Sequence, residues 1–128
     1  MKNSQFLALT LVLLCSSSYA QTSWQCTNKH AEISCTQQNC QVQTEDFTSF
    51  NFLIDSNKEI SICAYSGCWR GPVTYTNSKK FDQYFTQQLI WNNGETKDES
   101  FSITIDKTTK LGNLLGSGFI LPLICESK

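Results

Sequence analysis

Cysteines are the reactive side chains with the clearest spacing in this 128-residue chain. The segment CAYSGCWRG holds Cys63 and Cys68 in a C-x4-C pattern, and Cys35 and Cys40 repeat it. Such thiols could form a redox pair, bind zinc or form structural disulfides. A thioredoxin-like redox site uses C-x-x-C at a helix N-terminus, and a zinc site needs further Cys or His ligands. Structural disulfides are therefore predicted, with redox and metal sites as the alternatives.

A hairpin register explains how the first pair can meet. If Cys63 lies opposite Cys68 across a four-residue loop, Ile62 faces Trp69. The two apolar side chains then share one face of the hairpin, and the two sulfurs share the other. Directly opposed residues have Cβ atoms about 4.5–5.5 Å apart, which is close to disulfide geometry.

Pairing Cys35 with Cys40 in the same way leaves Cys26 and Cys125 to close the longest loop. Their disulfide would join the first strand to the last and contribute roughly 4.7 kcal/mol in the chain-entropy model, against about 2 kcal/mol for each six-residue loop. Six cysteines permit fifteen pairings. The main alternative joins Cys26 to Cys35 and Cys40 to Cys125.

The other chemistry-bearing residues form no recognisable catalytic motif. His30 is the only histidine and lies in a predicted turn, and the serines have no G-x-S-x-G setting. The adjacent pairs Glu45-Asp46 and Asp98-Glu99 would point to opposite faces of a strand. Only carboxylates that meet in space could act together as in a glycosidase, so an enzyme of that kind is an alternative, and neither a cofactor nor a metal is expected.

Alternating apolar residues predict that β-strands position these groups. The inward sets are Phe50/Phe52/Ile54, Ile60/Ile62, Trp69/Val73/Tyr75, Phe85/Leu89/Trp91, Phe101/Ile103/Ile105 and Phe119/Leu121/Leu123/Cys125. Turn sequences separate them at residues 55–58, 92–95, 106–110 and 116–118. The pattern predicts an all-β fold, a small antiparallel meander that closes into a barrel or sandwich and is cross-linked by disulfides. The segment 79–88 is also compatible with a helix.

The first twenty residues are typical of a secretory signal peptide. A basic start precedes an apolar run at residues 6–14, and the small residues Ser18 and Ala20 occupy the positions that signal peptidase recognises. The apolar run is too short to span a bilayer, so no membrane anchor is expected after cleavage, and Cys15 leaves with the peptide. Residues 21–128 then form one exported domain whose six cysteines are oxidised. A periplasmic or secreted location is predicted.

The charge balance argues against nucleic acid as a partner. Ten Lys and Arg residues stand against eleven Asp and Glu residues, for a net charge of −1. Lys79-Lys80 is the only adjacent basic pair, whereas nucleic-acid-binding domains carry a clustered basic surface.

Three segments resemble a group of uncharacterised small cysteine-containing exported proteins of Gram-negative bacteria. They are CAYSGCW at residues 63–69, the Trp-x-Cys start at residues 24–26 and the closing apolar strand at residues 118–125. Residues 103–110 are similar to an I-D-R-x-T-G-K hairpin of many uncharacterised exported β-proteins, with Lys110 near the usual glycine. The resemblance implies an exported compartment and a β fold, and it assigns no catalytic residue. A looser, architectural likeness is to periplasmic lysozyme inhibitors, and fold alone does not imply function.

The predicted hairpin tip supplies the candidate binding residues. Tyr65 and Ser66 lie in its loop, and Trp69 and Arg70 follow directly. Tyr, Trp and Arg often dominate the binding energy of protein interfaces; an ordinary exposed turn is the alternative. The leading hypothesis is a binding module, an inhibitor or immunity-type protein whose partner is another exported or envelope protein. The second hypothesis is a barrel that carries a small apolar ligand.

Overall fold

A computed structural model of the chain describes residues 22–55, 58–97 and 99–128, and these residues contain strands, turns and loops but no helix. The predicted signal peptide, with Cys15, lies outside the described residues. No described residue belongs to a helix that is long and apolar enough to cross a membrane. The strands are β1 (Trp24–Thr27), β2 (Glu32–Thr36), β3 (Asn39–Gln43), β4 (Asn51–Ile54), β5 (Glu59–Ala64), β6 (Gly67–Asn77), β7 (Phe81–Thr86), β8 (Leu89–Trp91), β9 (Thr96–Lys97), β10 (Phe101–Asp106), β11 (Leu111–Gly116) and β12 (Phe119–Ser127).

Most of these strands close into a single antiparallel barrel. The order around it is β1-β4-β5-β6-β7-β10-β11-β12, and β12 returns to pair with β1. The β2–β3 hairpin extends the sheet from β12, and the β8–β9 hairpin extends it from β6. The all-β fold and the closed barrel are confirmed, and the helix considered for 79–88 is wrong because β7 occupies that segment.

The predicted turns fall between the strands that they were expected to connect. Residues 92–95 join β8 to β9, residues 106–110 join β10 to β11, and residues 116–118 join β11 to β12. The turn at 55–58 contains residues 56 and 57, which lie outside the described residues.

Apolar side chains fill the barrel along the predicted alternation. The buried hydrophobic residues are Trp24, Cys26, Phe52, Ile54, Ile60, Ile62, Val73, Tyr84, Leu89, Phe101, Ile103, Ile105, Leu114, Leu121, Leu123 and Cys125. Successive residues of a strand point to opposite faces, so the intervening residues form the outer surface. The predicted inward parity is thus confirmed for β4, β5, β10 and β12.

Strand β7 is the exception to the predicted parity. Phe85 was expected inside with Leu89, yet Phe85 is 44% exposed whereas Tyr84 and Thr86 are each 2% exposed. The chain changes face between β7 and β8, at Gln88, whose φ is 54°. Leu89 is an inward residue of β8, and extending the strand alternation from Leu89 back into β7 therefore assigns Phe85 to the wrong face.

All three predicted disulfides form in the structure: Cys26–Cys125, Cys35–Cys40 and Cys63–Cys68. Each pair occupies directly opposed positions in its strand register, and the alternative pairing through Cys26–Cys35 is wrong. Cys26–Cys125 bridges β1 and β12 and is buried. Three disulfides are consistent with an oxidising, extracellular or periplasmic environment.

A buried carboxylate organises the end of the barrel where β1 begins and β12 ends, which we call the closed end. Asp82 is 1% exposed; its Oδ2 accepts a hydrogen bond from Trp24 Nε1 at 2.9 Å, and its Oδ1 accepts one from the Tyr75 hydroxyl at 2.9 Å. Lys107 Nζ lies 3.7 Å from Oδ1. Because buried charges need partners, these groups satisfy the Asp82 carboxylate and form a polar plug at the closed end.

Tyr84 stacks on Tyr75 inside this plug, with ring centroids 5.0 Å apart. The single indole proton of Trp24 goes to Asp82, and the Tyr84 hydroxyl has no hydrogen-bond partner among the described residues. Burial, with a further contribution from the Asp82 charge, raises the pKa of Tyr84 above its ordinary value. The neutral ring thus contributes packing, whereas its hydroxyl is buried at a cost.

We expect the two disulfide classes to differ in their effect on stability. The bridged residues are 99 positions apart in Cys26–Cys125 and 5 apart in Cys35–Cys40. Replacing Cys26 and Cys125 by Ala is expected to lower the free energy of unfolding by roughly 4.7 kcal/mol, and replacing Cys35 and Cys40 by about 2 kcal/mol. Urea unfolding of both double variants measures the difference. Equal losses would show that loop length does not govern these bridges.

Removing each tyrosine hydroxyl is expected to have opposite effects. Tyr75→Phe deletes a hydrogen bond to a charged acceptor and is expected to cost roughly 1.5–3 kcal/mol, whereas Tyr84→Phe is expected to be neutral or stabilising. Since burial raises the pKa of Tyr84 above 10.0, the stability of the wild type is intact below that pH and declines above it. Tyr84→Phe is expected to reduce this alkaline decline. Thermal unfolding of the wild type and the two variants across pH 8–12 tests the effect of each substitution and its pH dependence. A Tyr84→Phe variant that is less stable than the wild type would contradict the expectation for Tyr84.

Candidate functional site

The end of the barrel opposite the closed end holds a cavity of about 250 Å³ that opens to the surface, which we call the apolar pocket. Its walls are almost entirely hydrophobic, and five of the lining residues are aromatic. The lining residues are Phe50, Phe52, Ile62, Trp69, Glu99, Phe101, Leu114, Ser117, Phe119 and Leu121.

Strands from both halves of the chain position these side chains. On one wall Phe52 pairs with Ile62, and Ile62 pairs with Trp69, so three inward residues lie side by side across β4, β5 and β6. On the other wall Leu114 of β11 pairs with Leu121 of β12. All but Trp69 are buried, whereas Trp69 is half-buried.

A glycine keeps the β10–β11 wall tightly packed. A Cβ at Gly116 would lie 2.6 Å from the Phe101 ring and 2.4 Å from the Ser100 carbonyl oxygen. Real Cβ atoms do not approach that closely, so a larger residue would displace Phe101 and alter the pocket. The Gly-Ser-Gly turn of the sequence therefore serves the pocket wall as well as the chain reversal.

The four predicted binding residues do not form one site. Tyr65 is 93% exposed at the hairpin tip, and Ser66 is exposed beside it. Trp69 turns into the barrel and lines the apolar pocket, whereas Arg70 is exposed on the outer face. The separation follows from strand geometry, because adjacent residues of β6 point to opposite faces.

The hairpin tip is braced by the β8–β9 hairpin. The backbone N–H of Cys68 donates to Asn92 Oδ1 at 3.1 Å, and the Trp69 and Trp91 rings lie 4.4 Å apart between centroids. A Cβ at Gly67 would lie 2.7 Å from the Trp91 ring, so only glycine permits this contact. The Cys63–Cys68 bridge and the Trp91 contact together hold the Trp69 wall of the pocket in place.

Two polar residues lie on the rim of the apolar pocket. The Ser117 hydroxyl donates a hydrogen bond to Glu99 Oε2, across 18 positions of sequence. Glu99 is half-buried and is the one ionisable side chain among the described lining residues. The ion pairs found within the described ranges involve Asp82 and Asp106, so Glu99 has no cation within 4.0 Å in that part of the chain.

The other candidate groups lie apart from the pocket lining. His30, Glu45 and Asp46 are exposed, and Asp98 lies outside the described residues. Within the described ranges, no three His, Cys, Asp or Glu side chains converge as a metal-binding group.

Comparisons of the chain with protein-family models, with curated proteins and with solved structures gave no match. The resemblance to exported Gram-negative proteins therefore stays a prediction, and a function has to be argued from the geometry.

Sequence reasoning placed Phe50, Phe52, Phe101 and Phe119 in the core and did not identify them as a pocket lining. It considered Glu99 only as half of an adjacent acidic pair. No local signal connects Glu99 with Phe50, because the two come from distant segments that barrel closure brings to one end. Of the residues that sequence reasoning named as a binding site, Trp69 is the one that lines this pocket.

Proposed function

We propose that this chain is an exported binding module that holds a small, largely apolar ligand in the apolar pocket. The observation that supports it is the open cavity of about 250 Å³ with five aromatic residues in its lining. Eight strands make a barrel just wide enough to fill with side chains or to hold one small ligand. Here Asp82 with its hydrogen-bond donors and the stacked Tyr84 ring lie at the closed end, and the other end holds the cavity.

The size of the pocket limits the ligand. Sites for drug-sized molecules enclose roughly 300–1,000 Å³, and this cavity is slightly smaller. Its ligand is therefore smaller than a typical drug. Burial of its apolar surface would supply most of the affinity, at roughly 25 cal/mol per Å².

The surroundings of the pocket suit a preorganised site. A disulfide, a backbone hydrogen bond to Asn92 and a ring contact with Trp91 hold the Trp69 wall. Walls that are rigid before binding reduce the conformational entropy lost on association. Three disulfides and the predicted signal peptide support a carrier that works in the periplasm or outside the cell.

A volume-filling variant tests the pocket. Leu114→Phe adds bulk inside the cavity, and Leu115→Phe, on the outer face of the same strand, is the matched control because Leu115 is 56% exposed. The wild type and Leu115→Phe are expected to bind the fluorescent apolar probe N-phenyl-1-naphthylamine alike, and Leu114→Phe about tenfold or more weakly. Thermal unfolding verifies that each variant is folded. A wild type that binds no probe, or equal binding by both variants, would count against the pocket.

The hairpin tip supports a second candidate, recognition of another exported or envelope protein by an inhibitor or immunity-type module. The observation that favours it is Tyr65, which is 93% exposed on a loop closed by Cys63–Cys68. An exposed tyrosine on a rigid loop loses little side-chain entropy when it enters a partner's pocket. Arg70 contributes to this surface only if the partner also contacts the outer face of β6.

Alanine substitution tests the tip. Tyr65→Ala is expected to lower the affinity for a captured partner about 30-fold or more, as for a binding hot spot. The control is Thr74→Ala, because Thr74 is exposed farther along β6. Partners are captured from exported proteins by crosslinking, and affinities are then measured with the purified pair. Unchanged affinity for Tyr65→Ala would remove the tip from the partner interface.

A further inference from the structure

We infer that the ligand of the apolar pocket is a small cation, an amine or quaternary ammonium group attached to an aromatic or aliphatic body. The inference rests on the proposed function, because it assigns a charge class to the occupant of the same pocket.

The Glu99 carboxylate carries the first part of the argument. It lies on the rim of an otherwise apolar cavity, and the Ser117 hydroxyl donates to its Oε2. This hydrogen bond holds the carboxylate beside the opening, where an apolar ligand would exclude water from it. Stripping water from a carboxylate is costly unless a positive partner replaces it. An ammonium group on the ligand supplies that partner, whereas an anionic ligand would be repelled.

Two acids at the closed end have lysine partners, whereas Glu99 and the buried Glu32, which is not part of the pocket lining, have no cation within 4.0 Å in the described part of the chain. Asp82 lies 3.7 Å from Lys107 Nζ, and Asp106 lies 3.4 Å from Lys80 Nζ. Both of these acids are at the closed end. Within the described ranges Glu99 has a hydroxyl donor and no cation, so the chain supplies its own positive charge at the closed end and leaves that role open at the pocket.

The aromatic residues of the pocket carry the second part. Its lining includes Phe50, Phe52, Trp69, Phe101 and Phe119. The faces of aromatic rings attract cations, most strongly for Trp, and ring-lined cages are the usual protein site for quaternary ammonium ligands. The Phe50 and Phe52 centroids are 6.2 Å apart with planes tilted by 35°, so the two rings do not stack face to face on each other. The aromatic walls and the carboxylate rim thus favour the same class of ligand.

A matched pair of probes tests the charge preference. Phenethyltrimethylammonium and its carbon isostere, 3,3-dimethylbutylbenzene, have the same shape and differ by one positive charge. Titration at low salt, followed by amide shifts in ¹H–¹⁵N spectra of the whole folded protein, is expected to show the cation binding about tenfold or more tightly. Added salt is expected to weaken binding of the cation and not that of the isostere.

Charge removal at the rim tests the residue. Glu99→Gln keeps an acceptor for Ser117 and is expected to reduce the preference for the cation to about threefold or less. Glu126→Gln removes the same charge from an exposed position of β12 and is expected to leave the preference unchanged. Ser117→Ala removes the hydrogen bond to Glu99, and its preference for the cation is expected to lie between those of Glu99→Gln and Glu126→Gln.

The outcomes separate this inference from the proposed function. If both probes bind in the pocket equally, or if Glu99→Gln keeps the full preference, the cation assignment is overturned and the pocket still binds ligands. If neither probe nor N-phenyl-1-naphthylamine shifts any pocket amide, the proposed function fails, and the cation assignment fails with it.

Discussion

The pairing of β1 with β12 is the contact on which the rest of the molecule depends. It joins the first strand of the barrel to the last, and the buried Cys26–Cys125 bridge lies within its register. Without this seam the sheet would have two free edges, and exposed edges pair readily with other chains. Closure also gives the barrel an interior and two ends, and these two ends have different chemistry.

The closed end and the apolar pocket solve the same packing problem in different ways. At the closed end, Trp24 and Tyr75 donate to Asp82, Lys107 pairs with it, and the Tyr84 ring stacks on Tyr75. At the other end, strands of the same barrel meet around aromatic rings that leave a cavity of about 250 Å³. An eight-stranded barrel is near the limit at which side chains fill the interior. The barrel thus has a hydrogen-bonded network at one end and an unfilled cavity at the other.

Alternation was a reliable guide where strands run without interruption and a poor one at β7. The pattern identified Phe52, Ile62 and Ile103 as inward residues, and all three are buried. It assigned Phe85 to the wrong face because Gln88 changes the phase of the chain, and because the polar residues Asp82 and Thr86 occupy inward positions. A buried carboxylate is recognisable only when its donors are known, and Trp24 is 58 positions away from Asp82.

What the sequence determined by itself was local. Cys63 and Cys68 are five positions apart, so a short hairpin brings them together almost regardless of the surrounding fold, and the apolar parity of the flanking residues selects the register. Trp69 and Arg70 were predicted as one binding set, although strand geometry alone places such neighbours on opposite faces. The pocket was decided only by the tertiary structure. Glu99, Ser117 and Phe50 line one pocket because barrel closure brings distant strand ends together. The alternation of apolar residues along the sequence does not indicate which strand ends will be adjacent.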